Sequence, residues 1–281
     1  MTVATVYKQG WTLDEVHWDW FDPSRVDPAM LAAVKAAALV EYNAPDYVAY
    51  LKRVFHGASP ETIGAIEQWG AEESQHGRAL GRYAEMADPT FKLEDAFARF
   101  RKGYSPPQFS SVGDASIRGS RRGEMIARCV VESGTSSYYS AMRDACEEPL
   151  LREIAGRIAA DEYRHYKLFY NTLHAQPDPD LGFWKKLWIA VSRVRESDDD
   201  ELAYAYYCAN VKPEEEAARP YDRKTYSRLS SANGASIYSR KHIQKLMQMV
   251  MKAIGANPHG WLAELAGSLV WRRLQKNGAA A

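Results

Sequence analysis

The sequence predicts an all-α protein, and three observations carry that prediction. Apolar residues recur at helical spacing through most of the chain, in stretches rich in Ala, Leu, Glu, Arg and Met. The alternating, β-branched pattern of strands is missing, and no Asn-Gly turn joins two apolar runs. Prolines stand where periodic segments begin or end, as at Pro28, Pro60, Pro149, Pro177 and Pro179.

Each element follows from these signals. Residues 11–26 form an aromatic-rich leader. One helix is expected from Pro28 to Phe55, bent where Pro45 removes the hydrogen bond to the carbonyl of Glu41. Ser59-Pro60-Glu61 supplies an N-cap, a proline at the first helical position and an early acid, so a second helix runs to about Met86. A short helix covers 92–102. The Pro-, Gly- and Ser-rich stretch 102–120 is a loop. Helices follow at 121–145 and 149–175, then less regular ones at 181–195, after a cap at Ser197-Asp198-Asp199-Asp200, at 226–254 and at 258–276. Four long helices with a long connection between the second and third outline a ferritin-like four-helix bundle. The expected division is a leader at 1–27 packed on the bundle, the bundle at 28–176, and a C-terminal helical extension at 177–281. The basic, Met-striped segment 236–252 reads as core packing, with a tunnel wall or a subunit contact as alternatives.

Bulk properties narrow the function. The chain has 281 residues, 46% hydrophobic and 12% aromatic, and its net charge is zero. That is a globular composition, not that of a general nucleic-acid binder. Cys129, Cys146 and Cys208 are odd in number and lack C-x-x-C spacing, so reduced thiols are expected. The N-terminus has no apolar signal region and no run approaches the roughly 20 residues of a membrane span. A cytoplasmic setting is expected.

The chemistry concentrates in a repeated pattern. Positions 71–76 read A-E-E-S-Q-H and 160–165 read A-D-E-Y-R-H. Glu73 and His76, and likewise Glu162 and His165, are three apart, which on a helix places an oxygen and a nitrogen donor one turn apart on one face. One such tetrad is common; two, on two long helices, point to metal. Glu41 and Glu132 each follow an apolar run, where an unpaired carboxylate would be costly and a cation would relieve the cost. The competing reading of Glu132 is an ion pair with Arg128. The set Glu41, Glu73, His76, Glu132, Glu162 and His165 is that of a carboxylate-bridged dinuclear site, suited to iron or manganese. The leading acids Glu72 and Asp161 are expected to brace the histidines, each reaching across to the other half: Asp161 to His76 and Glu72 to His165.

At these residues the chain resembles the soluble acyl-carrier-protein desaturases, the stearoyl type. W-G-A-E-E-S-Q-H-G (69–77) is similar to that family's W-x-A-E-E-x-x-H-G, I-A-A-D-E-Y-R-H (158–165) to its I-A-A-D-E-x-R-H, and E-Y-N-A-P (41–45) to its E-x-x-L-P. The resemblance covers about residues 36–175. It implies two iron ions with dioxygen as co-substrate, a catalytic role for Thr135, an electron-transfer tryptophan at Trp18 or Trp20, a ferredoxin-like donor, an acyl carrier protein as partner and a homodimer. Aldehyde-deformylating oxygenases share the ligand spacing but do not generally carry a threonine at the position of Thr135. Arene N-oxygenases add a histidine where this chain has Ile158. Thr135 has a competing reading as a hydroxyl bonded to a helix carbonyl. Gly134 beside it reads as space for dioxygen or a chain. Arg118, Arg121 and Arg122 are a candidate docking patch for an acidic carrier, against the plainer reading of a solvated basic stretch. The function expected is desaturation of a fatty acyl chain; the alternatives are a di-iron hydroxylase or deformylating oxygenase, or a non-catalytic iron-storage protein.

Overall fold

The computed structural model describes residues 10–104, 116–196 and 200–278. Most of the loop expected at 102–120, and positions 197–199 of the expected cap, lie outside the described residues, as does the start of the leader. The described residues hold α-helices and short 3-10 turns and no strand. In chain order the helices are α1 (Pro28–Tyr42), α2 (Ala44–Val54), α3 (Pro60–Ala87), α4 (Leu93–Gly103), α5 (Arg121–Ala145), α6 (Pro149–Ala175), α7 (Phe183–Glu196), α8 (Asp200–Asn210), α9 (Arg223–Ile237), α10 (Arg240–Ala253) and α11 (Trp261–Gly278). The leader winds through 3-10 turns at Leu13–Glu15, Trp18–Trp20 and Pro23–Arg25.

Side-chain caps set where the long helices start. Asp27 accepts from the Met30 amide, Ser59 from Thr62, Ser120 from Gly123, and Glu148 from Leu150 and Leu151. Each satisfies donors that the first helical turn leaves unpaired. Two boundaries differ from the sequence reading. The helix expected to bend near Pro45 instead breaks at Asn43 into α1 and α2. Pro45 falls in the first turn of α2, where its missing N–H costs nothing, so a new helix start is easier than a kink. The segment expected as one helix over 226–254 is α9 and α10, because Ser239 forms a capping box with His242 and begins a second helix.

The packing places polar residues between two apolar halves. One cluster gathers Leu39, Leu80, Tyr83, Met142, Ile154 and Ile158. The other gathers Leu51, Phe55, Trp69, Ile126, Phe169 and Val250. Along α3, α5 and α6 the charged positions 73/76, 132 and 162/165 fall between the residues of these two clusters. Each fully buried Leu, Ile or Phe contributes about 1.5–3 kcal/mol, so the apolar ends offset the cost of a buried polar layer.

The C-terminal third is built onto this core. α8 and α9 pack on α1, and α7 and α10 pack on α5. The Met stripe of α10 turns inward, with Met249, Val250 and Met251 buried. Arg118, Arg121 and Arg122 are tied within the chain. Arg118 holds Glu196, Arg121 the carbonyls of Val54 and His56, and Arg122 those of Gln176 and Asp178. These contacts anchor connections within the chain. The three cysteines are buried and free.

Gly77, next to His76, sets how closely α3 approaches α1: a Cβ there would lie 2.6 Å from the Tyr42 backbone nitrogen. A Cβ at Gly134 would meet nothing within 4 Å. Gly77→Ala is therefore expected to cost about 1–3 kcal/mol by forcing the helices apart. Gly134→Ala should instead gain up to about 1 kcal/mol from helix propensity. Urea denaturation of the two variants beside the parent checks the opposite signs.

Candidate metal centre

Four helices each bring an acid to one place. α1 supplies Glu41, α3 Glu73 with His76, α5 Glu132, and α6 Glu162 with His165. The donor atoms form two overlapping groups. Glu41, Glu73, His76 and Glu162 make one, and Glu73, Glu132, Glu162 and His165 the other; within each group the atoms lie within 4.8 Å of one another. Glu73 and Glu162 belong to both, so they sit where bridging carboxylates would. All six residues are buried. The glutamates are thus drawn together against their own repulsion, in a place with little water to screen it.

Each histidine is braced from the opposite half. His76 Nε2, on α3, lies 3.0 Å from Asp161 Oδ2 on α6. His165 Nε2, on α6, lies 2.9 Å from Glu72 Oε2 on α3. These carboxylates fix each ring's orientation, with Nε2 toward the brace and Nδ1 toward the glutamates. Arg164 joins the two braces, donating to Asp161 at 2.6 Å and to Glu72 at 3.4 Å. Gln68 and the Gly10 amide also donate to Glu72.

The donor set fits a pair of divalent ions. Glu73 Oε1, Glu162 Oε1 and His76 Nδ1 are buried, and they face only one another's side of the cluster: His76 Nδ1 lies 3.2 Å from Glu162 Oε1, and Glu73 Oε1 lies 2.9 Å from His165 Nδ1. Buried imidazole nitrogens and carboxylate oxygens that converge on one another, with no other protein group between them, are a donor set a metal ion could share. Arg128 does not serve Glu132: its Nε lies 3.6 Å from Glu124, and its guanidinium lies over the Tyr47 ring. The nearest cationic atom to Glu132 is His165 Nδ1, at 3.7 Å.

Electrostatics describe the same fit. Burial, then the neighbouring Glu73 and Glu162, push the Glu41 carboxyl well above its ordinary range. Burial also raises Glu132, with Glu162 and Glu73 adding to it against the opposing pull of His165. Burial disfavours the charged form of His76, yet its contacts with Asp161 and Glu162 outweigh that and raise it to about 9. His165 is raised in the same way by Glu132, Glu162 and Glu72 against the pull of burial. Glu72 is held down to about 2, because His165, Gln68 and Arg164 outweigh burial. Glu162 is lowered by His165 and His76, again against burial.

Other candidate residues fall in different places. The Thr135 hydroxyl lies 2.5 Å from Glu162 Oε2 and 3.3 Å from the carbonyls of Val131 and Glu132. It therefore has both a helix partner and a partner in the cluster. The electron-transfer candidates lie elsewhere. Trp18 donates to the Leu13 carbonyl and carries Arg82 on its face. Trp20 is 48% exposed and stacks on His17. The ring beside a cluster histidine is Trp11, stacked 6.1 Å from His76 at an interplanar angle of 11°. The alignment of the leader turns on irregular 3-10 geometry, which sequence periodicity does not register.

Tyr139 also escaped the sequence reading. It is buried, and its hydroxyl donates to Glu41 Oε1 at 2.5 Å. It stands seven residues after Glu132 and four after Thr135, on the same face of α5, and that spacing is the signal that finds it.

No protein-family model and no curated protein matches this chain. The reading of the site rests on its own geometry.

Two outcomes check that geometry. Glu41, Glu132, His76 and His165 all hold their protons more tightly than usual, so metal binding would release protons. Metal binding should tighten with rising pH up to about 9, where His76 itself loses its proton, and weaken toward acid. Calorimetric titration of ferrous ion in buffers of different ionisation enthalpy measures the proton count. In addition, Asp161→Asn and Glu72→Gln should each weaken metal binding by about 10–100-fold while leaving the helix content unchanged, as competition with a chelator would read.

Proposed function

We propose that the chain is a ferritin-like dinuclear iron protein, and that it is an oxygen-dependent oxidoreductase acting on an unactivated C–H bond. The observation that carries the reading is the paired cluster: four glutamates and two histidines from four helices, with crossed carboxylate braces. Hard oxygen donors with two imidazoles suit iron, and a manganese–iron pair has the same requirements. Glu41, Glu73, His76, Glu132, Glu162 and His165 would hold the ions. Bound there, two iron ions supply the activation of dioxygen that C–H cleavage needs.

The chain's own residues do the rest. The two apolar clusters on either side keep water from the ligands. Tyr139 and the carboxylate braces hold the ligands in place. Thr135 keeps a hydroxyl proton on Glu162, at the edge of the cluster, where a proton can be passed to or from a reacting group. The desaturase-type motifs favour an acyl chain on an acidic carrier protein, with electrons from a ferredoxin-like donor.

One observation favours a second reading. A cleft of about 270 Å³ opens on α5 just past Thr135, lined by Ser136, Ser140, Arg143, Lys241 and His242 among others. Its lining sets Arg143, Lys241 and His242 around Asp144 beside Met249 and an apolar wall, so hydroxylation of a smaller substrate in place of desaturation forms the alternative within the same chemistry.

Iron analysis, oxygen uptake and product identification test both. The loaded protein should bind two irons and consume dioxygen with reductant in a substrate-dependent way. An unsaturated acyl product supports desaturation and an alcohol hydroxylation. Iron without substrate-dependent uptake on any acyl substrate indicates storage. Glu73→Ala should lose both iron and turnover; retention of two irons would refute the ligand assignment. Thr135→Val should keep the iron and lose about a hundredfold in turnover, and Thr135→Ser should restore it.

A further inference from the structure

Two helices distant from the cluster in sequence carry their apolar residues outward. On α7, Ile189 and Ala190 face the core. Phe183, Trp184, Trp188, Val191 and Val194 are exposed, Trp184 at 78% and Trp188 at 65%. On α11, Ala263 and Gly267 face inward. Trp261, Leu262, Leu265 and Leu269 are exposed, Trp261 at 71%. Positions 184, 188 and 191, and positions 262, 265 and 269, have the spacing of a single helix face. The Lys186 ammonium approaches Gly255, in the connection between α10 and α11.

Such surfaces on a folded chain mark a partner. The charge around them decides which. α7 and α11 carry seven lysines and arginines against two glutamates, in a chain whose overall charge is zero. Lys185 and Arg195 flank the tryptophans of α7, and Arg272, Arg273 and Lys276 crowd the end of α11. A second copy meeting this face with the same face would bring like charges together. Tryptophan and leucine on one side of a helix, with lysine and arginine beside them, are the composition of helices that lie in the plane of a lipid surface. Among the described residues no helix is long and apolar enough to cross a membrane, so the contact would be with the surface.

We propose that α7 and α11 together seat this chain on an anionic lipid surface, with Trp184, Trp188, Trp261, Leu265 and Leu269 entering the headgroup region and the neighbouring basic residues meeting lipid phosphates. The proposal does not depend on the identity of the metal or of the reaction.

The whole chain, sedimented with vesicles, tests it. Vesicles of phosphatidylcholine and phosphatidylglycerol should retain the protein, and phosphatidylcholine alone should retain far less. Raising the salt concentration should weaken retention, as for any attraction between surface charges. Trp184→Glu with Trp188→Glu, and separately Leu265→Glu with Leu269→Glu, should each lower partitioning at least about tenfold. These positions are exposed, so helix content and iron content should stay at the parent level, and a variant that loses them is replaced by the corresponding alanine pair. Two results overturn the proposal. One is retention of both glutamate variants at the parent level. The other is a parent chain that stays off the mixed vesicles, whether its face proves to be covered by a second copy, seen as a dimer that the same substitutions split, or by an acidic protein.

Discussion

The repulsion among four glutamates buried between α1, α3, α5 and α6 is the constraint on which the rest of the structure depends. Three carboxylates in each of two overlapping groups, held within 4.8 Å of one another and away from water, cannot all stay charged unless something positive sits among them. Two imidazoles, and the raised proton affinity of Glu41 and Glu132, answer part of that demand in the protein alone. Two divalent ions would answer all of it, since four negative charges meet four positive ones. The apolar clusters on either side give the fold the stability to tolerate such a layer, and the caps at Asp27, Ser59, Ser120 and Glu148 fix the helix starts that align it.

Much of this arrangement could be read from the chain. The two Glu-x-x-His tetrads are local, and helix geometry alone brings their donors to one face. Glu41 and Glu132 were visible because each interrupts an apolar run. The crossed braces followed from the doubling of the acid at Glu72 and Asp161. What sequence could not supply was long-range or irregular. Trp11 reaches His76 through a leader that has no helical period, and the denser aromatic cluster at Trp18 and Trp20 is the stronger signal in the sequence. The break at Asn43 depends on whether Pro45 starts a helix or bends one, and both readings fit the local sequence. The basic residues Arg118, Arg121 and Arg122 looked like a surface patch; in the fold their partners are backbone carbonyls and Glu196, contacts without a sequence signature.

The division of labour along the chain also becomes clearer. The N-terminal leader closes one side of the cluster, through the Gly10 amide and the Trp11 ring. The C-terminal helices do two things at once. Their inner faces complete the two apolar clusters, and the outer faces of α7 and α11 stay apolar where a helix needed only for packing would be polar. A segment that reads as a mere extension therefore has a surface chemistry of its own.

The crossed braces have a mechanical consequence. Asp161 on α6 reaches His76 on α3, while Glu72 on α3 reaches His165 on α6. A slide of one helix along the other would stretch both contacts together, and a rotation of either would swing its acid off one histidine and its own histidine off the opposite acid. The pair acts as a gauge on helix register: α3 and α6 can mate in one alignment only, and that alignment points both imidazoles inward before any ion arrives.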